Sequence, residues 1–158
     1  MSSTPPTVRT IDELRALVGQ ELGVGAWLEI TQERVNAFAE VTGDHQWIHV
    51  DPARAAQTPA GGTVAHGYLT LALLPFLGRN LDGVQLDLPQ TMIVNYGMNR
   101  VRFVSPVNVG ARIRLRSALQ AVDEVSEGVY QLAYSQTVEI EGAARPALVA
   151  ETLVRIYL

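Results

Sequence analysis

Val64-Ala65-His66-Gly67-Tyr68-Leu69-Thr70-Leu71-Ala72-Leu73-Leu74-Pro75-Phe76-Leu77 is the greasiest run of the chain. Between Tyr68 and Leu77 only Thr70 is polar, so a helix over this stretch is apolar on every side. Such a helix cannot lie on a surface; other elements have to wrap it. Pro75 removes a backbone donor and clashes with the preceding turn, which predicts a kink or an end there, at about 3 kcal/mol. The stretch Tyr68 to Leu77 is about half the length a bilayer requires, so it belongs to a core.

The second half of the chain supplies the wrapper. In Val129 to Glu141, Tyr130, Leu132, Tyr134, Val138 and Ile140 alternate with polar residues, and Ala147 to Leu158 keeps the same period of two. In Ala111 to Leu119, Ile113 and Leu115 alternate with Arg112, Arg114 and Arg116. Each predicts a strand with one buried face. From Met92 to Val104 the apolar parity changes, from Met92, Val94 and Tyr96 to Val101 and Phe103, and Gly97 marks a bulge near the switch. Helices gather in the first half. The spacing predicts Ile11 to Val18, with Leu14, Leu17 and Val18 on one side, then a strand around Ala26 to Ile30. A helix follows that Thr31 caps and Gly43 ends. Helices followed by strands predict an α+β fold, a curved antiparallel sheet around one long central apolar helix. No repeat or linker divides the 158 residues, so residues 1–158 form one domain, with 1–19 as an N-terminal extension carrying the first short helix.

Composition narrows the chemistry. The net charge is −4 without basic clusters, which argues against nucleic acid or a membrane surface as partner. There is no cysteine, which excludes disulfides, thiolate metal sites and cysteine nucleophiles. All 12 basic residues are arginine, so Schiff-base chemistry and a P-loop are excluded as well. No serine sits in a Gly-x-Ser-x-Gly elbow. Met1 to Thr10 is polar and proline-containing, without a signal-like apolar run, and the expectation is a soluble, cytoplasmic protein.

Titratable residues concentrate between Gly43 and Gly67, where all three histidines, His45, His49 and His66, lie with Asp44 and Asp51. A carboxylate and an imidazole at a turn after a helix, Asp44 and His49, could converge on one water. The alternative is that Asp44 satisfies nearby amides and His49 is a hydrogen-bonded core histidine. Gly67 falls in the first turn of the apolar helix, where amides lack intrahelical partners. Either a substrate oxygen approaches its N–H closely, or the glycine only permits close helix–sheet packing. His49, Asp51 and His66 would form the two-histidine, one-carboxylate set of non-haem iron. But Pro52 follows Asp51, which makes Asp51 a better N-cap than ligand, and no metal is expected. The row Arg112, Arg114 and Arg116, with Arg100 and Arg102, is either solvated surface or a set of phosphate ligands.

The stretches Phe38-Ala39-Glu40-Val41-Thr42-Gly43-Asp44, Ile48-His49-Val50-Asp51-Pro52 and Gly61-Gly62-Thr63-Val64-Ala65-His66-Gly67-Tyr68-Leu69 resemble the MaoC-type dehydratases, the (R)-specific enoyl-CoA hydratases of hot-dog fold. Asn95 to Phe103, with Pro106-Val107 after it, is similar to the single-domain, nodulation protein N-like members. The resemblance spans roughly residues 20 to 155. It implies a homodimer joined edge to edge through its sheets, with Asp44 and His49 as the catalytic pair and the Gly67 amide as donor to the thioester carbonyl. It also implies substrate-binding positions at Trp47, His66, Tyr68, Asn95 and Gly97. Gln46-Trp47 stands where many members have Asn-Pro, which alters the pocket but keeps the separation of the pair.

The activity so implied is reversible syn hydration of a trans-2-enoyl thioester, carried by coenzyme A or an acyl carrier protein, to the (R)-3-hydroxyacyl thioester. His49 removes a proton from the water as it attacks C3, and Asp44 orients the water and helps deliver a proton to C2. No cofactor is needed beyond the coenzyme A of the substrate. Trp47, Tyr68, Leu73 and Phe76 are expected to set the acyl cavity. The rivals are a hot-dog thioesterase, a non-catalytic acyl-CoA or acyl-carrier-protein binding module, and an iron-dependent oxygenase.

Overall fold

The computed structural model describes residues 6–79 and 81–158. The first five residues of the polar segment Met1 to Thr10 therefore lie outside the described residues. In chain order the elements are β1 (Thr7–Val8), α1 (Ile11–Arg15), β2 (Glu21–Gly25), β3 (Leu28–Glu29), α2 (Gln32–Thr42), α3 (Trp47–Val50) and α4 (Pro52–Ala55). Then come α5 (Gly67–Ala72), α6 (Leu74–Leu77), β4 (Leu81–Gly83), β5 (Gln85–Leu86), β6 (Met92–Phe103), β7 (Arg112–Ser126), β8 (Val129–Ile140) and β9 (Leu148–Tyr157).

The main sheet has seven strands in the order β4-β2-β7-β8-β9-β6, with β3 paired to β7. Every pairing in it is antiparallel. β7, β8 and β9 form where period-two patterning predicts them, because each has one face to bury. Ile113, Leu115, Val138, Leu148 and Ala150 project from that face onto Leu69, Leu73, Leu74 and Leu77 of the apolar segment. A second cluster gathers Leu14 of α1 and Val8 of β1 with Leu22, Leu119, Leu132 and Ile156, so the N-terminal residues from β1 onward are packed into the body.

The central helix is shorter than expected. It breaks at Leu73 into α5 and α6, with Pro75 in the first turn of the second piece, where its missing N–H costs no bond. Nor is it wrapped all round. Tyr68 is 70% exposed, and Ala72, Pro75 and Phe76 are exposed too, since the sheet covers only one side of the helices. The first helix also ends early, at Arg15, and Val18 is 42% exposed rather than buried with Leu14. There the chain turns so that the Gly19 amide donates to the Leu119 carbonyl.

β6 forms one edge of the sheet, and its first nine residues are exposed on both faces. The bulge expected near Gly97 is present between Asn95 and Gly97, and a second lies between Met98 and Arg100. Two bulges restore the parity that one would switch. Ile93 and Asn95 oppose Ile156 and Val154, while Val101 and Phe103 oppose Ala150 and Leu148. Directly opposed residues share a face, so the core-facing residues of β6 are odd-numbered at both ends. Met92 and Val94 lie on the outer face, contrary to the sequence pattern, which was misleading because both faces of this edge strand are apolar.

The arginine row sits on the outer face of β7. Arg112 pairs with Glu141, Arg114 with Glu139, and Arg116 with Glu139 and Glu21. These carboxylates hold Arg112 and Arg116 above the ordinary guanidinium range. The row is ion-paired on the face opposite the helices, so it does not serve as a set of phosphate ligands at the site.

Candidate active site

α2 is capped as its sequence requires, with the Thr31 hydroxyl accepting from the Arg34 amide at 3.3 Å. It ends at Gly43, whose φ of 75° is a left-handed conformation that glycine adopts without strain. The chain then reverses through Asp44, whose Oδ1 accepts from the Gln46 amide at 3.3 Å, and enters the single turn α3 that carries His49. The Asp51 carboxylate accepts from the Arg54 amide at 3.0 Å and caps α4. Asp51 is a cap, as its Asp-Pro context predicts.

His49 is fixed from several directions. Its Nδ1 lies 2.6 Å from the Val64 carbonyl. A carbonyl only accepts, so Nδ1 bears the proton and Nε2 is left with its lone pair. The Val64 amide in turn donates to the Ile48 carbonyl at 3.0 Å, and the Ala65 amide to Val107, which clamps the segment between α3 and the strand-like stretch ahead of β7. Gln32 completes the clamp. Its amide nitrogen donates to the His49 carbonyl at 2.7 Å, and its oxygen accepts from the Thr63 hydroxyl at 2.5 Å. Gln32 and Thr63 carry no chemical signature in sequence, and only the fold reveals their part in placing His49.

His66 lies beneath His49, 2% exposed, with ring centroids 3.8 Å apart and planes 25° from parallel. The Phe38 ring of α2 lies tilted against that of His66, with centroids 5.0 Å apart. The His66 Nε2–H donates to the Asp44 carbonyl at 2.9 Å, and its Nδ1 is buried without a partner among the described residues. A carboxylate oxygen of Asp44 and a ring nitrogen from each histidine all lie within 4.8 Å of one another. That span accommodates a single water hydrogen-bonded to both sides. A metal ion sits in the plane of each imidazole that binds it, about 2.0–2.1 Å from nitrogen, whereas these two rings lie 3.8 Å apart in planes only 25° from parallel. The triad weighed from sequence used Asp51; the geometric group contains Asp44 in its place.

Gly67 opens α5 directly after His66. A Cβ built there would meet the Phe103 ring at 2.9 Å, so close packing on β6 accounts for the glycine. Of the other candidates, Tyr68, Asn95 and Gly97 line one large cavity of about 870 Å³ between α5, α6 and the sheet. Trp47 stands apart from it and stacks under Arg54 at 4.1 Å. Leu73 is core and Phe76 faces Arg34 and Arg79, while Tyr68 lines this cavity. Leu71, Ala72 and Pro75 line it beside Tyr68, because successive helical residues turn by about 100° and one face alone meets the cavity.

A family profile described as "MaoC like domain" matches residues 13–140. The chain is 50% identical over 152 residues to 3-hydroxyacyl-thioester dehydratase Z of Mycobacterium tuberculosis, covering 94% of this chain and 97% of that protein. It is 47% identical over 142 residues to nodulation protein N of Rhizobium meliloti, covering 89% and 87%. Among solved structures, the monoamine oxidase regulatory protein of Archaeoglobus fulgius superposes with a TM-score of 0.76 at 20% identity, covering 98% of both chains. The (R)-hydratase of A. caviae involved in PHA biosynthesis superposes at 0.63 with 26% identity, covering 84% of this chain and 96% of that one. The architecture is the hot-dog fold, with a curved antiparallel sheet and short helices.

Proposed function

The chain belongs to the MaoC-like dehydratase family, a family of hydro-lyases, and from that membership we propose that it adds water reversibly to trans-2-enoyl thioesters to give (R)-3-hydroxyacyl thioesters. The observation that carries this reading is the His49 tautomer: Nδ1–H held by the Val64 carbonyl leaves Nε2 as the base of the neutral ring, in a residue that offers a ring nitrogen within 4.8 Å of an Asp44 carboxylate oxygen. Asp44 holds one hydrogen of the water while Nε2 takes the other, and the water oxygen forms its bond to C3. Electrons of the C2–C3 double bond move onto the thioester oxygen, where the Gly67 amide stabilises the enolate at the start of α5. The proton returns to C2 from the same side through this pair, so addition is syn. No metal or redox group enters these steps, because the thioester itself makes C3 electrophilic.

The acyl chain extends along α5 into the large cavity, and coenzyme A or a carrier protein delivers it. The exposed edge strand β6, with Met92, Ile93, Tyr96 and Met98 bare, supports assembly into a homodimer across that edge. Light scattering after size exclusion tests the dimer. The catalytic reading is tested with crotonyl-CoA. Asp44→Asn and His49→Gln each lower turnover at least about a hundredfold while circular dichroism stays unchanged. Near-normal hydration by either variant removes the pair from the mechanism, and release of free thiol to Ellman's reagent identifies a thioesterase instead.

A further inference from the structure

The inner face of the sheet is apolar along most of its length, but it carries a polar patch where the large cavity meets it. Ser117 of β7 opposes Gln136 of β8, and Tyr134 of β8 opposes Thr152 of β9. All four line the cavity. Opposed side chains stand about 5 Å apart and alternate residues of one strand about 7 Å, so these groups form one compact floor. Ser117 and Thr152 are buried, at 3% and 8% exposed, and Tyr134 and Gln136 are half-buried. Burial pushes the Tyr134 phenol up to about 12, which keeps it a hydrogen-bond donor at all working pH. Oε1 of Gln136 is buried with no partner among the described residues. None of the four takes part in the chemistry proposed at Asp44 and His49.

Polar groups in this position are costly beneath a hydrocarbon chain. An alkyl group laid on the floor displaces water from them and returns no hydrogen bond, and each group left unpaired weakens binding roughly tenfold or more. A chain bearing its own hydroxyl or carbonyl at that depth satisfies them. The cavity's opposite wall is built by α5 and α6, and Leu71 and Ala72 on it are about 6 and 7.5 Å along the helix from Gly67 at 1.5 Å per residue. On the reading above, in which the acyl chain runs along α5, the floor meets that chain several carbons beyond the thioester.

Resting on the enoyl-thioester reading above, we propose that Ser117, Tyr134, Gln136 and Thr152 form a subsite for an oxygen-bearing acyl chain, and that the preferred substrates carry a hydroxyl or carbonyl several carbons beyond the double bond.

The test compares trans-2-decenoyl-CoA with isomers of equal length bearing one hydroxyl at successive carbons from C5 outward. At least one hydroxylated isomer is expected to show a kcat/KM about tenfold or more above the plain chain, and Gln136→Leu with Thr152→Val to lower that ratio at least tenfold. The plain chain being best at every position overturns the proposal without any variant. A ratio untouched by the double substitution also overturns it. So does an equal loss on every thioester, crotonyl-CoA included, which assigns the floor to the carrier arm. Failure of the hydratase reading looks different: no enoyl-CoA, crotonyl-CoA included, loses its absorbance. Calorimetric Kd values for the plain and hydroxylated thioesters then decide the subsite alone, and equal values sink it.

Discussion

Gly67→Ala separates what the glycine does for packing from what its amide does for chemistry. The new Cβ would stand 2.9, 3.0 and 3.2 Å from three carbons of the Phe103 ring, against an ordinary contact of about 3.5–4.0 Å. The backbone itself is an unstrained helix start, so alanine gains about 0.4–1 kcal/mol by restricting the unfolded chain. Opposing this, the half-exposed ring must swing aside by at least about 0.6 Å, the shortfall of 2.9 Å from that contact distance. Its edge-on contact with Tyr68, at 5.6 Å and 67°, is then lost. That contact is worth about 0.5–1.5 kcal/mol. The single variant is therefore expected to change stability by less than about 1 kcal/mol, its two terms nearly cancelling. In a Phe103→Ala background the gain stands unopposed, and Gly67→Ala stabilises. Urea unfolding of the four proteins in the cycle reads the coupling, expected at about 0.5–1.5 kcal/mol. Zero coupling refutes the packing account. Crotonyl-CoA hydration that falls in the double variant well below that of Phe103→Ala alone assigns the space to substrate instead.

Other expectations concern stability and titration. Leu115→Ala, in a fully buried position under α6, should cost about 2–5 kcal/mol by chemical denaturation. Hydrogen bonds from Arg114 and then Arg116 hold the Glu139 carboxyl below its usual range. Its contribution is thus present above the unfolded carboxylate pKa and lost as pH falls through the lower folded one. Glu139→Gln should be less stable by about 1 kcal/mol at neutral pH, with the two melting curves converging in acid; a constant gap would contradict the ion pairs. Burial raises the Tyr134 phenol to about 12. Ultraviolet titration should show one phenolate appearing only near that pH and only in the wild type, not in Tyr134→Phe, and the associated stability declining between about pH 10 and 12.

Much of the architecture is legible because burial imposes a period. The alternation in β7, β8 and β9 marks strands with one covered face, and Thr31, Gly43, Asp51 and Pro75 announce their caps and breaks through local hydrogen-bonding chemistry. β2 escapes notice. It is five residues with two glycines, and it pairs with β4 and β7, which are remote in sequence. The second bulge of β6 is equally silent, because an edge strand exposed on both faces has no pattern to interrupt.

The site divides the same way. Asp44, His49 and His66 stand out as chemistry-bearing residues clustered between two helices, and sequence alone nominates them. Residue spacing cannot say that His66 stacks on His49, or that the Val64 carbonyl selects the His49 tautomer. Nor can it say that Asp44 rather than Asp51 completes the group, or that Arg112, Arg114 and Arg116 are spent on glutamates. Those facts depend on segments far apart in the chain meeting at hydrogen-bond distance. Local rules of helix, strand and turn are written residue by residue; the registry between strands is decided only when they pair, and the polar floor of the cavity exists only there.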